Sequence, residues 1–581
     1  MVNRLEPLNL TSFVGGLNLR ASTFQLAEDE SPDLLNVDID PRGGFYTRRG
    51  WQRWNDEEII DTEDEVEWKP RNAFAHTLSG GEQRIYVVND DVIFAAGTDK
   101  VFAPLVGPEP AATPHGADFA AWGDDIYIVS GRTQPTYRRI GDAAPSLLAS
   151  DSDDWSEVDA PLPGVLPKAE YIESHAGYMF VASTEETAVA YNSRIRWSHP
   201  DRPDSWRETD FIDIRGGGGK ITGITSFQDH LLIFKTNSMW ALYGYDEDSW
   251  QLVEVPGNVG APTTTCTTRS EAAVYFFSSA NRGGIYAYTG GDPVLLSEKL
   301  RPAMEQVFAY DHVFVSWAGQ RLWVAVPWTR AGGSAADVSS CFVFDPVVGD
   351  GAWVLYNSAY GAVSTVLDGS DSTAKYPLTA MWSPLTAAMV TLDYIDDGYD
   401  DILPEDAIGT GAGEMLVTGD GFGFAVTGGI QGQRFDSYYR TRWLHADWPD
   451  RKKSWRRPTF VCRQVSQDTD LIVESYRDYD ESTVHRSRTL RVLAQGGAFW
   501  TEGGYEDADE GGFDWSEGGK ADASGRGADW GAQRAGANII RGGSMGLARA
   551  VQLRVRVSPN TDRRKWGVDA VVAKYVMRRF R

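Results

Sequence analysis

Cysteine is scarce in this chain of 581 residues, and histidine never falls into a metal-binding spacing. Cys266, Cys341 and Cys462 stand far apart, which excludes a disulfide framework and a CxxC zinc site. The histidines at 76, 115, 175, 199, 230, 312, 445 and 485 form no HxH, HExxH or HxxxH pair, which argues against a zinc hydrolase. A Gly-x-Ser-x-Gly nucleophile elbow is also missing. No apolar run approaches the roughly 18 residues of a membrane span. Met1 to Pro7 lacks the apolar stretch of a signal peptide, so synthesis in a cytoplasm is expected. Positive charge is in deficit: 55 basic against 82 acidic residues leave a net charge of −27. Such a surface repels a phosphate backbone and argues against general nucleic-acid binding. It is compatible with a wall past which DNA slides without sticking, and equally with an ordinary acidic, soluble surface.

What the chain has in abundance is strands. From about residue 70 to 430, short alternating or wholly apolar runs are bounded by Gly, Asp, Asn and Pro, with almost nothing at helical spacing. Arg84 to Val88 turns at Asn89-Asp90-Asp91 into Val92 to Ala96, and His230 to Lys235 turns at Thr236-Asn237-Ser238 into Met239 to Tyr243. Ala273 to Phe277 turns at Asn281 to Gly284 into Ile285 to Tyr288, and Gln320 to Val326 precedes Cys341 to Phe344, where the thiol reads as a small buried apolar group. These units begin near 84, 125, 177, 230, 273 and 320, a spacing of roughly 40 to 50 residues that matches one four-stranded propeller blade. An all-β fold with a six-bladed β-propeller is the leading expectation, five or seven blades and a pair of stacked β-sandwiches being the alternatives.

The expected organisation is an extended N-terminal arm at 1–55, a propeller at 56–410, a Gly-rich linker at 411–430 and a C-terminal, sandwich-like β-domain at 431–581. A Gly/Trp-rich insertion at 496–545 should project from that domain. The arm is broken by Gly15-Gly16, Pro32, Pro41 and Gly43-Gly44 and cannot build a core alone. It is expected to lay Leu17, Phe24, Leu34, Leu35, Val37 and Phe45 onto the propeller or a neighbour.

Chemistry-bearing motifs are weak. Gly216 to Lys220 imitates a phosphate loop but continues with Ile221, and Ile214 stands where the first glycine belongs, so a turn between strands is expected. The acidic run 393–401 imitates a calcium loop, yet Ile395 and Pro404 occupy ligand positions. No catalytic residue, metal ligand or cofactor is assigned, and the chain is expected not to be an enzyme. Candidate subunit or partner contacts are Leu17, Phe24, Leu35 and Phe45, the basic residues Arg48, Arg49, Arg451, Lys452 and Lys453, and the insertion tryptophans Trp500, Trp515 and Trp530.

Phe13 to Trp51 has a distinctive order: Gly-Gly-Leu-Asn, an acidic turn, Asn-Val-Asp, then Gly and a basic Arg48-Arg49-Gly50. It resembles the opening of bacteriophage virion proteins of the tail nozzle (tail tubular protein B) and head-stabilisation type. Asp204-Ser-Trp206, Phe211-Ile-Asp, Ile221-Thr-Gly-Ile, Leu231 to Tyr243, Val274 to Ser278, Gly284 to Gly291 and Leu296-Ser297 are similar to that family's central block. Tyr439 to Trp443, Arg451-Lys-Lys and Asp478 resemble its later β-domain, while 496–545 matches nothing in it. The resemblance implies a non-enzymatic propeller subunit in a homo-oligomeric ring of a phage tail, at nozzle, neck or tail tip. Such a subunit docks other tail or neck proteins and lines or closes the DNA path without specific DNA binding. Its location would be the virion, after assembly in the bacterial host cytoplasm. A receptor- or glycan-binding tail-tip protein touching the host envelope is the alternative, and an envelope polysaccharide hydrolase the third.

Overall fold

Gln83–Val88 is apolar on both faces and pairs on both edges, with Asn72–Thr77 on one side and Ile93–Ala96, then Phe102–Pro104, on the other. This antiparallel meander, 72–104, is the first of seven four-stranded sheets in the computed structural model. The structure describes residues 5–22, 24–55, 59, 69–132, 135–140, 143–148, 168–328, 340–357, 362–370, 375–382, 389–392, 399–400, 433–463, 469–492, 499–501, 504–506, 538–557 and 566–577. The other sheets span 118–147, 168–213, 221–255, 267–295, 314–356, and 362–392 together with 51–53. The first strands of consecutive sheets touch in order and the seventh touches the first, so the sheets close a ring as propeller blades.

The ring has one blade more than the six expected from spacing. Its seventh blade is assembled from Ala362–Ser370, Lys375–Trp382 and Met389–Leu392, with Trp51–Arg53 as the outermost strand in register Val390↔Arg53 and Leu392↔Trp51. A blade whose last strand lies some three hundred residues upstream gives no repeat in the sequence. The six detected repeats begin at or near the second strands of their blades. Those strands are buried on both faces between neighbouring blades and read as apolar runs, whereas the innermost strands, such as Asn72–Thr77 and Asp118–Trp122, mix small, polar and aromatic residues along the axis. Aromatics fill the space between blades. Phe74 stacks on Phe119 at 5.5 Å between centroids and Tyr275 on Trp317 at 5.2 Å.

The second domain consists of two sheets sharing a core. One holds Gly567–Met577 at its centre, flanked by Lys453–Trp455 and Thr459–Cys462, with Asn538–Arg541 and Gly546–Ala548 at its edges. The other runs Asp33–Leu35, Tyr438–Arg440, Val551–Val557, Thr469–Arg477, Arg486–Val492. Residues 1–55 are therefore not merely an extended arm resting on the propeller. Glu6–Leu10 pairs along Gly567–Met577, Phe45–Thr47 pairs with Val37–Ile39 and reaches Gly567, and Asp33–Leu35 forms the edge of the second sheet. The expected insertion also ends earlier than 545, because Asn538–Arg541 is paired with Thr459–Cys462. The linker 411–430 lies outside the described residues.

Candidate functional site

The segment Phe13 to Trp51 forms the joint between the two domains, and its unusual residues each have a local reason. Gly16 has φ +66°, and a Cβ there would sit 2.7 Å from the Trp353 carbonyl, so only glycine lets the chain press against blade six. Gly43 has φ +112° and packs equally close to the Thr11 carbonyl. Asn36 adopts φ +51° and ties three parts of the chain together. Its backbone N–H donates to Leu355 O at 2.8 Å, its amide donates to Asp436 O at 2.7 Å, and its Oδ1 accepts from Asn357 N and Arg48 Nε, both at 2.9 Å.

Arg48 is buried in this joint. Its guanidinium lies 3.7 Å from the Phe435 ring centroid and donates to the carbonyls of Arg49 and Asn357, each at 2.7 Å. Carboxylates along the segment are met from distant parts of the chain. Glu30 faces Lys299 at 3.1 Å, Asp38 faces Arg321 at 2.9 Å, and Asp40 faces Arg463 at 2.6 Å. Glu28 pairs with Arg442, and the Tyr356 hydroxyl donates to Asp38. Hydrogen bonds from Arg42 chiefly, then from Arg463, hold the Asp40 carboxyl well below the usual carboxylate range. Asp38 drives the Arg321 guanidinium further above its ordinary value. Lys299, Arg321 and Arg463 escaped sequence reasoning because each lies roughly 270 to 420 residues from its partner, and no local pattern marks them.

The predicted contact residues divide. Leu17, Phe45 and Arg48 are buried within the chain, and Leu35 and Arg49 are half-buried against it, so the first three offer nothing to a second subunit. Phe45 stacks on Tyr439 at 4.3 Å between centroids. Phe24 is 59% exposed and packs at a tilt against Tyr479, 5.0 Å between centroids. In the basic turn, Arg451 lies over Trp448 at 4.1 Å and Lys452 is exposed. Lys453, expected as a contact, is fully buried. Its ammonium donates to the carbonyls of Trp448, Arg451 and Arg549, and burial pulls it down to about 8. Trp500 lies in the strand Phe499–Thr501, which pairs with Gly504–Glu506, while Trp515 and Trp530 fall outside the described residues.

The propeller axis encloses a cavity of about 520 Å³ lined by the innermost strands of all seven blades. Its polar groups clasp one blade to the next. Asn72 donates to Ala117 O at 3.0 Å, and Asp118 accepts from Ile172 N at 3.1 Å. His175 meets Ser226 at 2.8 Å, Arg269 donates to Ser226 O at 3.0 Å, and Thr268 accepts from Trp317 N at 3.0 Å. Ser316 accepts from Val366 N at 3.1 Å, and Gln83 joins blade one to Asp368 and Ser370 of blade seven. Burial pushes Asp118 up to about 7 and Glu173, 3.3 Å from Arg269, also up to about 7. Such groups can exchange a proton near neutrality, yet Asp118 is held by two backbone N–H groups and Glu173 by Arg269.

Nucleophilic chemistry finds no support in the cysteines. All three are buried, and burial pushes each thiol up to about 12. No group of three metal-ligating side chains occurs among the described residues. Gly216 to Gly219 form the turn into Ile221–Phe227, and Lys220 reaches toward Glu170 at 3.9 Å. Among the described residues, no helix is long and apolar enough to cross a membrane.

No family model matches the chain, and no curated protein matches it in sequence. Among solved structures it is similar to a streptogramin B lyase, at 12% identity and TM-score 0.36, over 60% of this chain and 98% of that one. It is similar to virginiamycin B lyase from Staphylococcus aureus at 12% identity and TM-score 0.34, over 68% and 99%. It is similar as well to the WD40 propeller domain of Doa1 at 8% identity and TM-score 0.34, over 59% and 96%. These likenesses are to the propeller fold.

Proposed function

We propose that the chain is a structural bacteriophage virion protein, a ring-forming tail component at the nozzle, neck or tail tip that helps form or close the DNA-ejection path and docks other tail proteins. One observation carries this reading. The segment through which the chain resembles nozzle-type proteins, Phe13 to Trp51, is the same segment that welds propeller and sandwich into one unit through Arg48, Asn36, Glu30, Asp38 and Asp40. That rigidity suits a ring subunit that bears load between neighbours. The channel of a single propeller is not the DNA path in this reading. A path for DNA would run through the centre of the ring, against acidic walls that do not retain it. The chain is proposed to be non-enzymatic, its channel carboxylates serving as clasps and counter-charges. Electron microscopy and native mass spectrometry of the purified chain and of phage particles test the proposal. A symmetric ring and a fixed tail position are expected; a stable monomer missing from particles overturns it.

A further inference from the structure

Two surfaces far apart in the chain carry complementary features. The first is a cavity of about 350 Å³ at the open end of the sandwich, between its two sheets. Val473, Met545, Leu553 and Pro458 form its apolar floor, and Arg457, Arg486 and Arg488 its rim. Arg486 and Arg488 lie on the edge strand Arg486–Val492 opposite Ser475 and Val473, on the face that continues inward to the buried Leu490 and Val492. Two guanidiniums thus stand where a sealed sandwich would place apolar side chains. Arg486 donates to Ser544 O at 2.8 Å and Arg488 to Gly542 O at 3.4 Å. None of the three arginines forms an ion pair with a described residue, in a chain of net charge −27. Inward charge on an edge strand blocks sheet-to-sheet aggregation. That role accounts for Arg486 and Arg488, but not for Arg457 on the opposite wall or for the cavity left above the floor.

The second surface is the hairpin tip Tyr245 to Ser249 on blade four. Tyr245 is 74% exposed, and among the described residues its ring touches no other aromatic and Asp246, Glu247 and Asp248 after it form no ion pair; Glu247 accepts one hydrogen bond, from Trp197 Nε1 at 3.1 Å, which leaves its second carboxylate oxygen free to meet a partner. The turn is held in shape. Ser249 N donates to Asp246 Oδ1 at 2.9 Å, and Ser249 Oγ accepts from the N–H groups of Tyr245 and Asp246 at 3.1 Å. An aromatic on a pre-shaped acidic turn has the character of an interface anchor, because little conformational freedom is lost on docking.

The geometry points to a subunit contact in which the Tyr245–Ser249 hairpin of one copy inserts into the arginine-rimmed cavity of the next. Tyr245 covers the apolar floor, and the carboxylates of Glu247 and Asp248 meet Arg457, Arg486 and Arg488. The two surfaces are different patches, so the contact is head-to-tail, the type that closes into rings. Opposite charge fixes the register. This inference rests on the ring reading above and names its interface.

Sedimentation and native mass spectrometry of the full-length chain test it. Y245A, R486E/R488E and E247R/D248R are each expected to weaken self-association by at least about thirtyfold, Y245A with a thermal melt close to that of the unaltered chain. Mixing R486E/R488E with E247R/D248R should restore assembly, an outcome misfolding cannot produce. Should the variants assemble as the unaltered chain does, this contact is overturned and the ring stands. If R486E/R488E only loses inorganic phosphate binding while assembly is unchanged, the cavity is a free-anion site and the contact is again overturned. If the unaltered chain stays monomeric and is missing from particles, contact and ring reading fall together.

Discussion

The propeller and the sandwich are both built of antiparallel sheets, yet they are assembled on opposite principles. Within six blades each strand pairs with the next in sequence, so Gln83–Val88 finds its partners within about twenty residues. In the sandwich Glu6 pairs with Tyr575 and Asp33 with Arg440. Local hairpins close short loops at little entropic cost, whereas the sandwich cannot complete its sheets until both ends of the chain are present. The difference teaches where the molecule is vulnerable. The propeller depends on its one non-local strand, Trp51–Arg53, and the sandwich depends on the N-terminal segment throughout.

Deleting residues 1–47 should break this pairing most. It removes Glu6–Leu10, Asp33–Leu35, Val37–Ile39 and Phe45–Thr47 from the sandwich and leaves Trp51 for the propeller. Limited proteolysis read by mass spectrometry should then cut freely within 433–577 and spare 72–392. Equal protection of both regions would show that the N-terminal strands are dispensable.

A smaller effect is expected for Trp51→Ala, which empties a fully buried site against Trp323, 5.9 Å away between centroids. The loss should be about 3–5 kcal/mol. It should concentrate in blade seven, seen as faster hydrogen exchange across Lys375–Trp382 than across Gln83–Val88. Uniform acceleration through all blades would mean that the seventh blade is no weaker a closure than the rest.

The smallest effect is a contrast in pH response. Asp118 and Glu173 are raised to about 7 in the channel, so the folded propeller binds protons more tightly than the unfolded chain. Their stabilising contribution is full below about 4 and is lost as pH rises through about 7. Asp40 in the joint is lowered, so its contribution is present above its ordinary 3.8 and is lost as pH falls through its folded value. Asp118→Asn should flatten the decline in propeller stability from pH 4 to 7 in thermal melts, and Asp40→Asn should blunt the acid loss of the joint. A propeller melt that rises with pH across that interval, unchanged by Asp118→Asn, contradicts the channel assignment.

Much of the fold was legible from residues alone, for a physical reason. A strand buried between two blades must be apolar on both faces, so Ile85 to Val88, Leu231 to Phe234 and Phe276 to Phe277 announce themselves as runs, and their turns as Gly, Asn and Asp. The seventh blade was not legible, because its outer strand is borrowed from Trp51–Arg53. The candidate contacts were mixed for a similar reason. Lys452 and Lys453 are neighbours of the same type, and only the fold exposes one and surrounds the other with carbonyl oxygens.

What the sequence determined by itself was the strand content, the blade-length repeat and the absence of metal-binding, thiol-framework and nucleophile-elbow signatures, since these follow from side-chain periodicity and spacing over short distances. Tertiary structure alone decided that the ring closes at seven, that the N-terminal segment supplies strands to both domains, and that Glu30, Asp38 and Asp40 meet Lys299, Arg321 and Arg463. Those pairings join residues hundreds of positions apart, and no periodicity within a strand or a hairpin encodes such a distance.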